Sequence, residues 1–271
     1  MQQGSRRVVV ATYNVEWFFT SPPFGLVVAT VPVKARRLGA VLAALRPRPM
    51  VVGLQEVQSE LELKALCDVL QEQHQLTYRP LCARTVSART GQRVALLVDE
   101  NQVRVDAWDS YGDMEKNVWL DGTLCASGDR FHLVNVHLKA DFDKQSTWLR
   151  ESESRILRPA IVSHLAAAKG AAAVLLGDFN DFDLEHDGPG VPVESGVLRT
   201  MRLDNALANV MPHTPGHSTV YRTRIDHVLF DQAALEWVAG QLHATPDTDA
   251  TPLAERTSDH FALLAEFRFK N

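Results

Sequence analysis

The chain lacks a membrane span, a cysteine framework and any excess of positive charge. No apolar run approaches the ~18 residues that a transmembrane helix needs. The polar stretch Met1 to Arg7 is followed only by Val8 to Ala11, too brief for the apolar region of a signal peptide. These absences predict a soluble protein, cytoplasmic by default, with secretion possible where a signal peptide has been removed. Three cysteines occur, Cys67, Cys82 and Cys125, scattered and odd in number. They match neither a zinc spacing nor a disulfide framework, and are read as buried free thiols. With 28 Lys and Arg against 33 Asp and Glu, the formal charge is −5. No overall basic field draws in a polyanion, so a phosphate must be gripped locally or through a bound cation. No low-complexity linker or composition break interrupts the 271 residues, which predicts a single domain over 1–271.

What is present is 45% hydrophobic residues, arranged as short buried runs. Arg7 to Tyr13 is β-branched and apolar, as a buried strand requires. Lys34 to Leu45 carries Leu38, Val41, Leu42 and Leu45 at helical spacing and is stopped by Pro47 and Pro49. Met50 to Leu54 reads as a second strand, and Ser59 with Glu62 as a capping box for a helix to about His74. Strands are expected over Thr77–Leu81, Arg93–Val98, Val103–Trp108, Val118–Cys125 and Phe131–His137. A helix is expected within Thr147–Lys169, closed by Gly170 and either kinked or begun by Pro159. Ala172–Leu176 is a strand and Asp183–Gly196 a polar loop. Arg224–Phe230, Ala234–Leu242 and Phe261–Phe269 complete the strands. A strand–helix–strand order recurs over Arg7–Glu56 and Phe131–Asp178. Polar residues sit at the strand ends of both units, where α/β folds place ligands, and the two units are expected to face each other across a sandwich.

Those strand ends carry the chemistry. Glu56 follows Val51-Val52-Gly53-Leu54-Gln55, and a carboxylate there is costly unless paired or bound to a metal. Oxygen ligands suit hard cations, Mg2+ or Mn2+. Asn14 and Glu16 follow the first strand, on one side of the chain if it stays extended. Glu16 is a candidate second ligand. Asp178 and Asn180 end Ala173 to Gly177; the aspartate can orient or deprotonate a water, and the amide can fix that water or a phosphate oxygen. His260 has Asp226 as its natural carboxylate partner, which leaves Asp259 to assist a metal or a transition state. His137 can bind a phosphoryl oxygen or protonate a leaving group. Arg93 and Lys116 are candidate phosphate cations. The remaining histidines, including His132, His164, His213, His217, His227 and His243, are read as structural, and Asp181 and Asp183 as solvated loop residues.

Taken together, Tyr13-Asn14-Val15-Glu16, Leu54-Gln55-Glu56, Asn135-Val136-His137-Leu138, Gly177-Asp178-Phe179-Asn180, Ile225-Asp226-His227 and Ser258-Asp259-His260 resemble the endonuclease/exonuclease/phosphatase superfamily, with its deoxyribonuclease I-like fold. The motifs occur in that family's order across nearly the whole chain. The resemblance implies a four-layered α/β sandwich, two packed mixed β-sheets flanked by helices. It implies a divalent metal at Glu56, with Asn14, Glu16 and Asp259 close by, and hydrolysis of phosphate esters by in-line attack of water. Asp178 would activate the water with support from Asn180. His260, backed by Asp226, would stabilise the phosphorane-like charge, and His137 would act from the other side. The sequence departs from many such nucleases in having Glu16 in place of an aspartate, and Lys116 as the nearest candidate for an upstream arginine.

The leading expectation is a nuclease acting on DNA. An open groove lined by Arg84, Arg89, Arg93, Lys139 and Lys144 would favour it. The alternative is a phosphatase or phosphodiesterase for a small molecule, an inositol phosphate or a lipid head group, favoured by a cavity narrowed by Asp141-Phe142-Asp143 and the Asp183–Val193 loop. A binding module without turnover is the remote third.

Overall fold

The computed structural model describes residues 6–141, 143–168, 170–182, 196–202, 207–209, 217–243, 247–248 and 250–271. One sheet contains β1 (Arg7–Phe18), β2 (Val51–Val57), β3 (Arg79–Cys82), β4 (Arg93–Val98), β11 (Leu235–His243) and β12 (Ala262–Phe269) in the order β11-β12-β1-β2-β4-β3. The other contains β5 (Val103–Asp109), β6 (Asn117–Leu124), β7 (Arg130–His137), β8 (Ala172–Asp178), β9 (Leu207–Asn209) and β10 (Asp226–Asp231) in the order β5-β6-β7-β8-β10-β9. Both sheets are mixed. Their parallel pairs, β1 with β2 and β7 with β8, are the two recurring units seen in the sequence.

Alternation along these strands splits the apolar residues between two faces. The inward faces interdigitate: Val8, Val10, Val51, Leu96 and Val98 of the first sheet share a core with Leu133, Val174, Leu176 and Val228 of the second. On the first sheet's outer face, Ala11, Leu54 and Leu97 pack under α1 (Val31–Ala44) and α2 (Glu60–His74) through Leu38, Leu42, Leu63 and Leu66. On the second sheet's outer face, Val134, Val136 and Leu175 pack under α3 (Lys144–Ala167) and α4 (Val197–Arg202) through Leu157, Ile161 and Leu198. The result is the expected four-layered sandwich.

Local departures have identifiable causes. Helix α1 starts three residues before Lys34 because Pro32 supplies a preset first turn. Ser59 caps α2 by accepting from Leu61 N at 3.2 Å, and its hydroxyl donates to Glu62 Oε2; the other Glu62 oxygen accepts from Thr20 N at 2.9 Å, so the Ser59–Glu62 pair forms through side chains and not as the reciprocal backbone box. Helix α3 does not begin at Pro159. It begins at Lys144, where Asp143 Oδ1 accepts from Gln145 and Ser146, and it runs through the proline. Helix α4, β9 and a 3-10 turn at Pro23–Gly25 carry no strong sequence period and were not anticipated. Cys82 is buried, Cys67 half-buried and Cys125 exposed, the last because it lies in the turn after β6. His213 and residues 183–195 lie outside the described residues.

Between the sheets sits a polar bridge. Gln55 Nε2 donates to Asn135 Oδ1 at 2.6 Å and to Thr12 Oγ1 at 3.0 Å. Asn135 Nδ2 donates to the Leu54 and Ala95 carbonyls at 3.0 and 2.9 Å. Gly53 makes room for this, since a Cβ there would lie 2.2 Å from Leu176 Cδ1 and 2.9 Å from Asn135 Cγ. Both amides are fully buried, so removing one strands the other's partners. Asn135→Ala is expected to cost roughly 1–3 kcal/mol, seen as a lower urea midpoint at unchanged m-value. A midpoint equal to wild type would contradict the bridge.

Candidate active site

The carboxyl ends of β1, β2, β7 and β8 meet at one end of the sandwich. Their register sets Asn14 beside Gln55, and His137 and Asp226 on either side of Asp178. Just past these pairs the ladders slip, between Asn14 and Phe18 and between Gln55 and Val57. Bulges of this kind redirect side chains. Glu16 (φ 45°), Trp17 (φ 55°), Glu56 (φ 63°), Lys116 (φ 46°) and Asn180 (φ 48°) all adopt the left-handed region. Such conformations persist only where surrounding contacts fix them, and their concentration here marks the site. The chain at Glu16 therefore does not stay extended, which corrects the expectation built on simple alternation. Gly177 (φ 141°) is required, since a Cβ there would lie 2.0 Å from the Val136 carbonyl oxygen.

Asn14 joins the two sheets. Its Nδ2 donates to Glu56 Oε1 at 3.2 Å and to Asp178 Oδ2 at 3.0 Å, while its Oδ1 accepts from Glu16 N at 3.0 Å. An amide nitrogen is a donor only, so Asn14 is seen as a brace between two carboxylates. What it offers a cation is at most a remaining lone pair on Oδ1. Ser258 Oγ donates to the Asn14 carbonyl at 2.6 Å and accepts from His260 N at 3.0 Å, which ties the Ser258-Asp259-His260 segment to β1. His260 Nδ1 lies 2.7 Å from Asp226 Oδ2. On its other side, His260 Nε2 lies 3.8 Å from Asp178 Oδ2, and His137 Nε2 lies 3.8 Å from that same oxygen. Asn180 donates its backbone N–H to Asp178 Oδ1 at 2.9 Å and its side-chain amide to the Leu138 carbonyl at 3.2 Å.

These groups are almost wholly withdrawn from water. Burial and the neighbouring Asp226 push Asp178 up to about 7. Although burial opposes it, the carboxylates of Asp226 and Asp259 hold His260 well above the ordinary imidazole range. Burial, Lys116 and His260 hold His137 well below it. A second group of acids adjoins Glu56. Burial and Asp259 raise both Glu56 and Glu16, the latter to about 7. Glu16 Oε1 pairs with Arg256 Nη1 at 2.9 Å, and Glu16 Oε2 is buried without a hydrogen-bond partner among the described residues. Lys34, buried and lowered to about 8 by that burial, donates to the Arg256 carbonyl at 3.2 Å. Glu16, Glu56 and Asp259 repel one another, and carboxylate oxygens of this kind are the donor type that suits a hard divalent cation; the donor atoms of the adjoining Asp178, Asp226 and His260 lie within 4.8 Å of one another.

The cations divide. Lys116 lines a cavity of about 320 Å³ together with Glu56, His137, Trp17, Phe24, Arg89 and Lys139. Arg93 does not reach it: its Nη1 donates to the Ala83 and Arg84 carbonyls at 2.8 and 3.0 Å, and it lines a separate depression with Arg84 and Trp108. Its position at the start of an apolar strand gave no sign of which rim it would occupy. Asp181 is buried rather than solvated, accepting from Leu198 N at 3.2 Å, with its carbonyl 2.9 Å from His227 Nε2. Lys34, Arg256 and Trp17 were missed because each belongs to the site only through folding. The buried lysine on the apolar face of α1 was the one legible signal.

Asp178 ionises near 3.9 in an unfolded chain and near about 7 here. Its ionisation therefore destabilises the fold progressively as pH rises from about 4 to about 7. Asp178→Asn removes that penalty. With EDTA present, the stability of the variant relative to wild type should increase between about pH 5 and about pH 8 in paired thermal melts. A difference that is flat or shrinks contradicts the assignment.

Comparison with known proteins places this geometry. The profile of the Endonuclease/Exonuclease/phosphatase family matches residues 11–260. No curated protein matches the sequence significantly. The human Nocturnin catalytic domain, solved with a bound sulfate anion, aligns with a TM-score of 0.68 at 18% identity, covering 98% of this chain and 96% of that one. D. rerio TDP2 in complex with a single-strand DNA product aligns at 0.66 and 16%, covering 97% and 99%. A mannosyl-6-phosphatase of Bacteroides thetaiotaomicron aligns at 0.69 and 16%, covering 97% and 100%. At these identities the solved structures establish the shared fold alone. The family match, running from Ala11 within β1 to His260, establishes that the chain belongs to the endonuclease/exonuclease/phosphatase family.

Proposed function

We propose that the protein is a divalent-metal-dependent phosphodiesterase, most directly a nuclease, that hydrolyses its substrate by in-line attack of water. The observation that carries this reading is the convergence of His260 Nε2 and His137 Nε2 on Asp178 Oδ2, each at 3.8 Å, with Asn14 linking that carboxylate to Glu56. Glu56, with Glu16 and Asp259, would hold Mg2+ or Mn2+, which when bound supplies Lewis-acid neutralisation of phosphate oxygen. Asp178 orients the attacking water and takes its proton; Asn14 and the Asn180 N–H hold the carboxylate in place. His260 is cationic at neutral pH because two carboxylates face it, so it stabilises charge building on the phosphoryl oxygens. Burial and Lys116 favour the neutral form of His137, which makes it a weak proton donor to a leaving group. It binds a phosphoryl oxygen through its N–H instead. Lys116 adds positive charge to the same wall. No binding of the phosphate is assigned to Arg93.

The nuclease reading is supported by a cavity that Trp17 and Phe24 line together with Glu56, Arg89 and Lys139. Aromatic rims of this kind stack unpaired bases. A second reading, a small phosphate ester, is supported by a specific shortage. Arg84 pairs with Asp109 and packs near Trp108, and with Arg93 it lines a depression other than the one lined by Arg89 and Lys139, so these cations do not all line one cavity. Phe142 and the Asp183–Val193 loop, which would narrow the cavity, lie outside the described residues. The mannosyl-6-phosphatase shares the fold and supports the second reading, as the TDP2 complex supports the first.

Single-stranded oligonucleotide, plasmid DNA, bis-p-nitrophenyl phosphate and a phosphorylated sugar, each with and without Mg2+ or Mn2+, separate these readings. Metal-dependent cleavage of the oligonucleotide is expected. Turnover of the phosphorylated sugar alone would transfer the assignment to the second reading, and no turnover of any substrate would leave a binding module. Asp178→Ala and His260→Ala should each lower kcat by about 10²-fold or more with folding retained; wild-type kcat in either refutes its role. Glu56→Gln should raise the metal concentration for half activity at least about tenfold, the loss of one charged ligand being worth ~1.4 kcal/mol or more. An unchanged titration rejects ligation.

A further inference from the structure

A second cluster of ligand-type side chains lies away from the catalytic groups. Asp121 on β6 and His132 on β7 are cross-strand partners, and His164 reaches them from α3. His132 Nδ1 and His164 Nε2 both lie 2.9 Å from the same oxygen, Asp121 Oδ1, and His164 Nε2 lies 2.8 Å from Oδ2. His132 is five residues from His137 along β7, about 16 Å at strand rise. It also faces the helix-covered side of the sheet, with Val134 and Val136. The cluster is thus separate from the carboxylates around Glu56.

We propose that Asp121, His132 and His164 form a second metal site, for a borderline divalent cation of the zinc class, that clamps α3 to the second sheet. The donors fit: two imidazole nitrogens and one carboxylate are a ligand set for zinc or cobalt, whereas the catalytic cluster offers oxygen donors that suit magnesium or manganese. The spacing fits too. All three donor atoms lie within 4.8 Å of one another, and ligands at ~2.0–2.1 Å in a tetrahedral shell lie about 3.4 Å apart. A supporting group is in place. Tyr111 Oη lies 2.9 Å from His132 Nε2, and a hydroxyl can accept the N–H that a metal-bound imidazole presents on its far nitrogen. The His132 and His164 rings stack at 4.0 Å, and Trp119 lies edge-on to His164 at 4.8 Å, which fixes both rings. Access is provided on one side. The His132 side chain has no exposure, but those of Asp121 and His164 are about one-fifth exposed, leaving a direction for the ion to arrive and for water to complete the shell. Without the ion, Asp121 can accept an N–H from each ring; with it, each neutral ring places its N–H on the far nitrogen, and the one positive charge left by a divalent ion and a single carboxylate is met by water at the partly exposed Asp121 and His164 side.

The test uses Zn2+ and Co2+ on the folded full chain, with excess Mg2+ present to occupy the catalytic cluster. Equilibrium dialysis should find one more Zn2+ per chain in wild type than in His164→Gln or Asp121→Asn. Co2+ should give a visible ligand-field absorption in wild type that is absent in both variants, and Zn2+ should raise the Tm of wild type alone. Magnesium-supported phosphoester turnover should be equal in wild type and His164→Gln. Equal Zn2+ content and equal Co2+ spectra across wild type and both variants would overturn the proposal, as would a wild type that takes up no Zn2+. A variant whose Tm in EDTA already falls far below wild type is set aside in favour of the other, so loss of folding does not imitate loss of a ligand.

Discussion

One side-chain amide holds two acids from opposite sheets in place. Asn14 sits at the end of β1 and donates to Glu56 of its own sheet and to Asp178 of the facing one. Hydrogen bonds to charged acceptors are worth about 1.5–3 kcal/mol each, and here they do more than stabilise. They set the distance between a group that suits a cation and a group that suits a water. The remaining assembly is built around this link. Ser258 ties the His260 segment to the Asn14 backbone, and Asp226 orients His260 toward Asp178.

The cost of that arrangement is electrostatic. Glu16, Glu56, Asp178, Asp226 and Asp259 are gathered at one end of a sandwich that is otherwise closely packed. Their desolvation and mutual repulsion are expressed as raised affinities for protons at Glu16, Glu56 and Asp178. The chain answers with Arg256 on Glu16, with Lys34 donating to the Arg256 carbonyl, and with His260, whose proton affinity its carboxylate neighbours raise, between Asp226 and Asp178. The balance is incomplete, since Glu16 Oε2 has no partner among the described residues. A folded protein keeps such a charge deficit where function uses it. The inter-sheet bridge of Gln55 and Asn135 gives the rigid base on which the deficit can be sustained.

Much of this was legible in the sequence because buried strands announce themselves and their ends are where polar residues become conspicuous. Glu56, Asp178, His137 and Asp226 all fall at or one residue from the end of an apolar strand, and the structure brings all four together. The pairing of His260 with Asp226 was likewise accessible from their placement beside the last strands. Three things were not. Bulges at Glu16, Trp17 and Glu56 depend on left-handed backbone that no local propensity predicts, so the side chains' directions could not be read by alternation. Arg93 illustrates the converse: a cation at the right strand position points to the wrong rim, because its partners are carbonyls of a neighbouring loop. Charge compensation by Lys34 and Arg256 is set by tertiary packing over 222 residues of separation. His132 and His164 were read as structural histidines, and only the docking of α3 onto β6 and β7 reveals that they share a carboxylate.

The central claim is that the two sheets jointly present a carboxylate cluster whose missing positive charge is a divalent cation next to Glu56. Anomalous scattering from a crystal equilibrated with Mn2+ tests this most directly. The account predicts a strong manganese peak within coordination distance of the Glu56 carboxylate, adjoining Glu16 or Asp259. A saturated crystal with its manganese elsewhere, or with none near Glu56, would contradict it.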